Sequence, residues 1–225
     1  RTRSCRLGLG DRSRPPHMGD LRLGAESASC LVALFHGLSG NATSLKPLAE
    51  RWARALPRTA FVLLEGNGDW FPFPSMAADI TEEERVKTII ETIEQSMTKA
   101  DANLDEHLKV AGLTNAELIL AGFSQGAAMS AYTGLRRSCR AVMPMGGPCP
   151  PRERLLPENS VTRVCAISGD RDSHAPHESI SELLGKYTPK DPSTDGVHII
   201  KGLGHIIAEE HFELGLAFLR SCGCE

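Results

Sequence analysis

The sequence lacks any apolar run long enough to span a membrane, and it lacks an excess of charge of either sign. Its apolar runs, such as the one at 30–35, are far shorter than the roughly 18 residues that a membrane-spanning helix needs. The 25 basic and 28 acidic residues leave a net charge of −3, which argues against charge-driven binding to nucleic acid or to an anionic membrane surface. We therefore expect a soluble protein with small or neutral partners, no nucleic acid and no integral membrane association.

The sequence also lacks the cysteine and histidine spacings of a disulfide or metal framework. Its seven cysteines form an odd set without C-x-x-C spacing, and Cys30 and Cys165 lie in strand-like apolar runs. This pattern favours reduced thiols and a cytoplasmic location. His174 and His177 form an H-x-x-H pair, but no third ligand motif and no H-E-x-x-H helix accompanies them. We expect no metal and no other cofactor.

The two ends of the chain differ in composition from the segment between them. Residues 1–18 contain five arginines and one acid, Asp11, and are expected to be a disordered leader, vector-derived sequence or the remnant of an organelle-targeting segment. Residues 222–225 are expected to be a plain tail, because two thiols alone do not complete a metal site. Residues 19–221 have the length of one α/β domain.

Seven short apolar runs predict β-strands, and five segments between them predict helices. The alternation predicts an α/β fold with a mostly parallel central sheet flanked by helices. In the long helical segment from Thr81, residues 101–107 interrupt the period and predict a turn between two helices. The strands are expected near 21–23, 31–35, 61–64, 118–122, 141–145, 164–167 and 197–200, and the helices near 44–55, 81–110, 125–137, 178–187 and 206–220.

The strongest functional signal is the stretch Gly122-Phe123-Ser124-Gln125-Gly126, which follows a strand-like run. A serine in this frame sits on a sharp strand-to-helix turn, and the two glycines relieve the crowding around it. Composition alone would give about 0.15 matches by chance, so the frame needs support from its context. The strand before it and the small residues after it predict a nucleophile elbow with Ser124 as the nucleophile.

A serine nucleophile needs a base to take its proton and an acid to orient the base. In an α/β fold with such an elbow, the acid and then the histidine follow the serine along the chain, each after a strand. Asp170 and Asp172 both follow the run at 164–169, and spacing does not choose between them. His205, preceded by a loop with two glycines, is the expected base. Two other histidines are expected to have structural roles: His198 and His211.

Acyl transfer also needs N–H groups aimed at the developing oxyanion, each worth roughly 10²- to 10³-fold in rate. The residue after the nucleophile, Gln125, is expected to supply one from its backbone, aided by the positive end of the following helix. The loop at 35–41 is rich in glycine and follows an early strand. We expect the backbone N–H of Leu38, in this loop, to be the second donor.

Five separate motifs together resemble the phospholipase/carboxylesterase family, whose best-known members are the acyl-protein thioesterases. The resemblance runs from about 31 to 219, and its motifs are His36-Gly37-Leu38, Trp70-Phe71, Gly122 to Gly126, Gly169-Asp170-Arg171-Asp172 with Pro176, and Gly204-His205. It implies an α/β-hydrolase fold without a large cap domain. It also implies acyl-protein thioesterase, lysophospholipase or carboxylesterase activity without a cofactor, on acylated proteins, lysophospholipids or small esters. It selects Asp172 as the acid.

The sequence departs from the family pattern around the predicted cleft, at His174-Ala175, at 38–41 and at 70–74. These departures flank the predicted catalytic residues and bear on the choice of substrate. The side chains expected to line an acyl pocket are Leu38, Trp70, Phe71 and Phe73, although core packing would equally account for the three aromatic residues. The alternative function is a non-catalytic hydrolase-fold binder of a lipid or small carboxylic ligand.

Overall fold

The computed structural model describes residues 19–66, 68–71, 81–147, 162–184 and 190–225. All seven predicted strands are present within these ranges, and the predicted leader at 1–18 lies outside them. In chain order the elements are β1 (Leu21–Gly24), β2 (Cys30–Phe35), α1 (Lys46–Ala55), β3 (Thr59–Leu64), α2 (Glu82–Ala111), a 3₁₀ turn (Asn115–Glu117), β4 (Leu118–Phe123), α3 (Gln125–Arg137), β5 (Ala141–Met145), β6 (Arg163–Gly169), α4 (His177–Leu184), β7 (Gly196–Ile200) and α5 (Glu209–Ser221).

The strands form one sheet in the order β1-β3-β2-β4-β5-β6-β7. Only β1, at one edge, runs antiparallel to its neighbour, and the other strands pair in parallel. Every residue of β2 and β3 is buried, as a parallel strand covered by helices on both faces requires. The predicted α/β fold with a mostly parallel sheet is therefore confirmed.

Helices cover both faces of the sheet and create two apolar cores. Trp52 of α1 and Phe218 of α5 pack in one core, and the Trp52 indole N–H donates to the carbonyl of Phe212 at 3.1 Å. Met129 and Tyr132 of α3 pack in the other core, together with α2 and α4. Among the residues that the structure describes, no helix combines the length and apolar character of a membrane span.

Helix α2 is continuous over Glu82–Ala111, so the predicted turn at 101–107 is wrong. Its buried stripe continues through Leu104, and Asp101, on the outer side of the helix, binds Arg137 of α3 at 3.0 Å. Asp101 and Asp105, two of the residues that interrupted the sequence period, therefore bind arginines of α3 and do not end this helix. The stripe consists of Ile93, Met97, Ala100, Leu104 and Leu108.

A disulfide joins Cys30, at the start of β2, to Cys224, and their Cα atoms are 5.7 Å apart. The prediction of reduced thiols is wrong for this pair, because the fold returns the end of the chain to the amino end of the central strands. The backbone carbonyl of Glu225 accepts from the backbone N–H of Arg58 in the same place. Cys222 and Cys224 are both buried, so residues 222–225 pack on the domain.

The sheet brings two loops together at its carboxyl edge. Strands β2 and β4 are direct neighbours, and Phe35 at the end of β2 pairs with Gly122 near the end of β4. The chain leaves β2 toward β3 on one side, whereas β4 lies on the other, and such a reversal of strand order opens a crevice at the carboxyl ends of the strands. Ser124 and the loop after Phe35 consequently lie side by side.

Candidate active site

Ser124 lies between the end of β4 and the start of α3 in a strained backbone conformation, with φ of 56°. Non-glycine residues adopt positive φ only where the surroundings enforce it. A Cβ atom added at Gly122 would lie 2.1 Å from the carbonyl oxygen of Gly126, and one added at Gly126 would lie 2.1 Å from that of Phe35. The two glycines therefore permit the turn that exposes the serine hydroxyl, as the motif predicts.

The imidazole of His205 bridges Ser124 and Asp172. Its Nε2 lies 2.9 Å from Ser124 Oγ, and its Nδ1 lies 2.7 Å from Asp172 Oδ2. The three residues come from the ends of β4, β6 and β7, which meet at the same edge of the sheet. With the proton on Nδ1 held by the carboxylate, Nε2 faces the hydroxyl as an acceptor, which is the arrangement that general-base activation of a serine needs.

Asp172 is buried and held ionised by several hydrogen bonds. Its side chain is closed off from solvent, and Oδ1 accepts from the backbone N–H groups of His174 at 3.0 Å and Ala175 at 2.9 Å. Burial by itself raises the pKa of this carboxyl, but the hydrogen bonds from His205, Ala175 and His174 outweigh it, so the pKa lies below its ordinary value. Asp172 is therefore a carboxylate at neutral pH.

Asp170 binds the loop that carries His205. Its Oδ1 accepts from the backbone N–H of Gly202 at 2.6 Å. At Gly169 the two loops touch, because an added Cβ would lie 2.0 Å from the carbonyl oxygen of Leu203. Among the described residues, Asp172 contacts His205 and Asp170 contacts Gly202. The role of Asp172 as the catalytic acid stays a prediction.

The two other histidines considered from the sequence take part in local hydrogen bonds. His198, in β7, has its Nε2 at 3.0 Å from the carbonyl of Thr194. His211 is buried in the first turn of α5, where its Nδ1 accepts from the backbone N–H of Ala208 at 3.1 Å. Burial lowers the pKa of His211 below its ordinary value.

We expect His211 to make the protein less stable as the pH falls. The histidine takes up a proton more readily in the unfolded chain, where its pKa is near 6.5, than in the folded protein. Its contribution to the free energy of unfolding is therefore complete above about pH 6.5 and declines as the pH falls toward the lowered folded-state pKa. In His211→Asn, Oδ1 can still accept from Ala208, and the slope of melting temperature against pH between 7 and 5 should be shallower. An unchanged slope would contradict this assignment.

The two predicted oxyanion donors lie on either side of Ser124. Gln125 is the first residue of α3, and Leu38 is two residues beyond His36 in the loop after β2. Gly37 is so near the nucleophile that an added Cβ would lie 3.3 Å from Ser124 Cβ. Within the described part of the chain, neither the Leu38 nor the Gln125 backbone N–H donates to a protein acceptor. That these two N–H groups bind the oxyanion stays a prediction.

Two of the three aromatic residues that were predicted to line an acyl pocket, Trp70 and Phe71, pack in the core. Trp70 and Phe71 are 5% and 4% exposed and belong to the core cluster on one face of the sheet. The Trp70 ring contacts Phe35 and His36, with centroids 5.2 and 4.9 Å apart. Phe73 lies outside the described residues. That these side chains line an acyl pocket stays a prediction.

Three features of the site were not anticipated from the sequence. The ring of His174 lies against that of His205, with centroids 5.1 Å apart. Asp69 accepts from the backbone N–H of Ser39, and the side chain of Gln125 binds the backbone of the segment after β3. His174 stood out only as a departure from a family pattern, and nothing local to Asp69 or Gln125 signalled these long-range partners.

Comparison with known proteins connects this geometry to one family. A sequence profile of the phospholipase/carboxylesterase family matches residues 22–223, which is nearly the whole chain. The matched range includes every strand of the sheet except the first residue of β1, and it includes the candidate residues from Leu38 to His205.

Solved structures of esterases share the fold. Esterase PE8 is 31% identical over 91% of this chain and 98% of its own, with a TM-score of 0.74. A phospholipase/carboxylesterase from Dyadobacter fermentans is 19% identical, covering 90% of this chain and 96% of its own, with a TM-score of 0.71. The Bacillus cereus carboxylesterase is also 19% identical, covering 92% and 95% of the two chains, with a TM-score of 0.66.

Proposed function

The chain belongs to the phospholipase/carboxylesterase family and has an α/β-hydrolase fold, and we propose that it is a serine hydrolase acting through Ser124. The reaction is the cleavage of a carboxylic ester or thioester through an acyl-enzyme. The observation that carries the proposal is the bridge formed by His205, 2.9 Å from Ser124 Oγ on one side and 2.7 Å from Asp172 Oδ2 on the other. No metal or organic cofactor has a part in this mechanism.

In the first half of the reaction, Ser124 Oγ attacks the acyl carbonyl carbon and His205 Nε2 takes the hydroxyl proton. Asp172 holds the opposite side of the ring and stabilises the imidazolium that forms. The carbonyl oxygen becomes an oxyanion, which the N–H groups of Leu38 and Gln125 stabilise. The bond to the leaving alcohol or thiol then breaks as His205 returns its proton to that group, and the acyl group remains on Ser124.

In the second half, a water molecule takes the place of the leaving group. His205 Nε2 removes a proton from the water, which attacks the acyl carbon of the ester on Ser124. A second oxyanion forms between the same two N–H groups and collapses. The carboxylic acid leaves, and the proton on His205 restores the Ser124 hydroxyl.

Exposed apolar side chains support an acyl substrate with a hydrophobic chain. Leu38 is 45% exposed and belongs to the loop beside Ser124, and Ile206 is 59% exposed and directly follows His205. Large apolar side chains exposed beside a site are typical of surfaces that bind apolar ligands. We propose that acylated proteins, lysophospholipids and small esters are the candidate substrate classes, with acyl-protein thioesterase activity among the candidate activities.

A fluorophosphonate probe tests the proposed chemistry directly, because it phosphonylates only an activated serine. We expect labelling of the native protein, no labelling after denaturation, and no labelling of Ser124→Ala. Ser130→Ala is the matched control, since Ser130 is buried in α3, the helix that follows Ser124, and its hydroxyl donates to the carbonyl of Ala127. Tight binding of a fatty acid without any probe labelling would instead favour a non-catalytic binding protein.

A series of substrates tests which acyl-chain length and which leaving group the enzyme prefers. The value of kcat/KM is measured for acetyl, butyryl and octanoyl p-nitrophenyl esters, for a lysophospholipid and for a palmitoylated peptide thioester. Activity that rises with chain length would support the role of the apolar rim at Leu38 and Ile206. A preference for the acetyl ester, with no turnover of the peptide thioester, would assign the enzyme to small esters and exclude a depalmitoylase.

We also propose a cytoplasmic location. The free, buried thiols of Cys139, Cys165 and Cys222 support it, whereas the Cys30–Cys224 disulfide counts against it, because disulfides persist mainly in oxidising compartments. The redox state of Cys30 and Cys224 in the native cell, determined by alkylation and mass spectrometry, is therefore the measurement that tests it. Fully reduced cysteines would support the cytoplasm, and a complete disulfide would count against it.

A further inference from the structure

The described residues that follow β3, at 65–66 and 68–71, contact both loops that carry the predicted oxyanion donors. Glu65 accepts from the backbone N–H of Ala42 at 3.0 Å, and the backbone N–H of Gly66 donates to His36 Nε2 at 3.1 Å. These contacts attach the segment to the loop after β2. Other contacts attach it to the nucleophile elbow, so that one short piece of chain touches both sides of Ser124.

On the side of the first donor, Asp69 fixes the peptide that follows Leu38. Its Oδ1 accepts from the backbone N–H of Ser39 at 2.8 Å. Ser39 has a φ of 55°, in the left-handed region that a non-glycine residue adopts only when its surroundings hold it there. This bond holds the peptide plane between Leu38 and Ser39. The Leu38 N–H lies in the preceding plane, and the two planes are joined through the φ and ψ angles of Leu38, so holding one restricts the direction of the other.

The indole of Trp70 fixes the same loop at its beginning. Its Nε1 donates to the backbone carbonyl of His36 at 2.9 Å, and its ring lies on the His36 ring. Ser96 of α2 donates to the carbonyl of Trp70. Trp70 is thus bound to α2 through its carbonyl, and its indole binds His36, two positions before Leu38.

On the side of the second donor, the side chain of Gln125 binds the segment with both of its polar atoms. Oε1 accepts from the backbone N–H of Trp70 at 2.9 Å, and Nε2 donates to the backbone carbonyl of Phe71. Gln125 is fully buried, so these bonds are shielded from competition by water. The residue that offers its backbone N–H to the oxyanion is therefore joined to the same segment as Leu38.

We infer that Asp69 is a positioning residue for the oxyanion hole, acting through Ser39 on the N–H of Leu38. The inference rests on the proposed function of Ser124 and adds a residue that does not touch the substrate. Preorganised donors lower the barrier only if they already point at the oxyanion when it forms. Loss of the Asp69 carboxylate leaves substrate binding in place and weakens stabilisation of the transition state, so the effect falls on kcat.

The test compares Asp69→Ala with Asp69→Asn, whose side-chain oxygen can still accept from Ser39. Removing a whole oxyanion donor costs about 10²- to 10³-fold in kcat, so misdirecting one should cost about tenfold in Asp69→Ala, with KM within about twofold of the wild type. Asp69→Asn should recover kcat to within about threefold. Glu91→Ala, which removes an exposed carboxylate from α2, should have wild-type kinetics.

Further variants and readouts separate positioning from folding. Trp70→Phe keeps the ring but loses the bond to His36, and it should also lower kcat more than it raises KM. Affinity for a trifluoromethyl ketone, whose adduct carries an oxyanion, should fall in parallel with kcat/KM in Asp69→Ala. A wild-type kcat in Asp69→Ala, or equal damage in Asp69→Asn, would overturn the inference. If Ser124→Ala kept its activity in the same assays, the proposed function itself would fail instead.

Discussion

Replacing Ser124 with alanine is expected to lower kcat on a p-nitrophenyl ester by about 10⁵- to 10⁶-fold. The hydroxyl is the atom that attacks the carbonyl, and His205 has no other nucleophile at 2.9 Å from its Nε2 among the described residues. Residual turnover would come only from water and the oxyanion donors. The measurement is the steady-state rate of ester hydrolysis, corrected for the uncatalysed reaction.

The fold should survive this change, which makes the loss of activity interpretable. Alanine occupies the same volume apart from the hydroxyl, and the positive φ of Ser124 costs a serine and an alanine alike. We expect a melting temperature equal to that of the wild type or slightly higher, since residues chosen for catalysis are often not the most stabilising. Ser130→Ala should keep its activity. More than about 1% residual activity in Ser124→Ala would assign the chemistry to another group.

Replacing Asp172 with asparagine is expected to lower kcat by about 10³- to 10⁴-fold while the fold is retained. Asparagine can accept from the backbone of His174 and Ala175 through Oδ1, as the carboxylate does. Its Nδ2 group would then face His205 Nδ1 as a donor. The imidazole would carry its proton on Nε2, toward Ser124, and could no longer accept the hydroxyl proton.

The neighbouring aspartate provides the matched control for this experiment. Asp170→Asn keeps an oxygen that can accept from Gly202, so it should have a kcat within about threefold of the wild type. Circular dichroism and the melting temperature would establish that both variants are folded. Equal losses in Asp170→Asn and Asp172→Asn would contradict the assigned roles, as would near wild-type activity of Asp172→Asn.

Much of the fold could be predicted from the sequence because buried parallel strands are short continuous apolar runs. The continuity of α2 through residues 101–107 could not. Its acidic residues resemble a turn in isolation, and only their ion pairs with Arg137, on another helix, show why the helix continues. The Cys30–Cys224 disulfide escaped prediction for a similar reason, since its partners are 194 positions apart and sequence spacing contains no sign of their meeting.

In the candidate site, too, residues in local sequence patterns could be predicted, whereas residues defined by distant partners could not. Ser124 and His205 could be predicted from the sequence, because each lies in a short local pattern after a strand. Asp172 and Asp170 have nearly the same local sequence context, and what distinguishes them is a partner elsewhere, His205 for one and Gly202 for the other. Asp69 was missed altogether, because its partner Ser39 lies on a different loop and is brought near only by the pairing of β2 with β3.

The Cys30–Cys224 bond has a practical consequence for limited proteolysis. It closes the chain between these two residues into a covalent ring, and every candidate site residue from Leu38 to His205 lies inside that ring. A protease that cuts the ring once opens it without releasing a fragment. On a non-reducing gel, the nicked protein runs as a single band at nearly the mass of the intact chain. It separates into two bands only after a reductant is added.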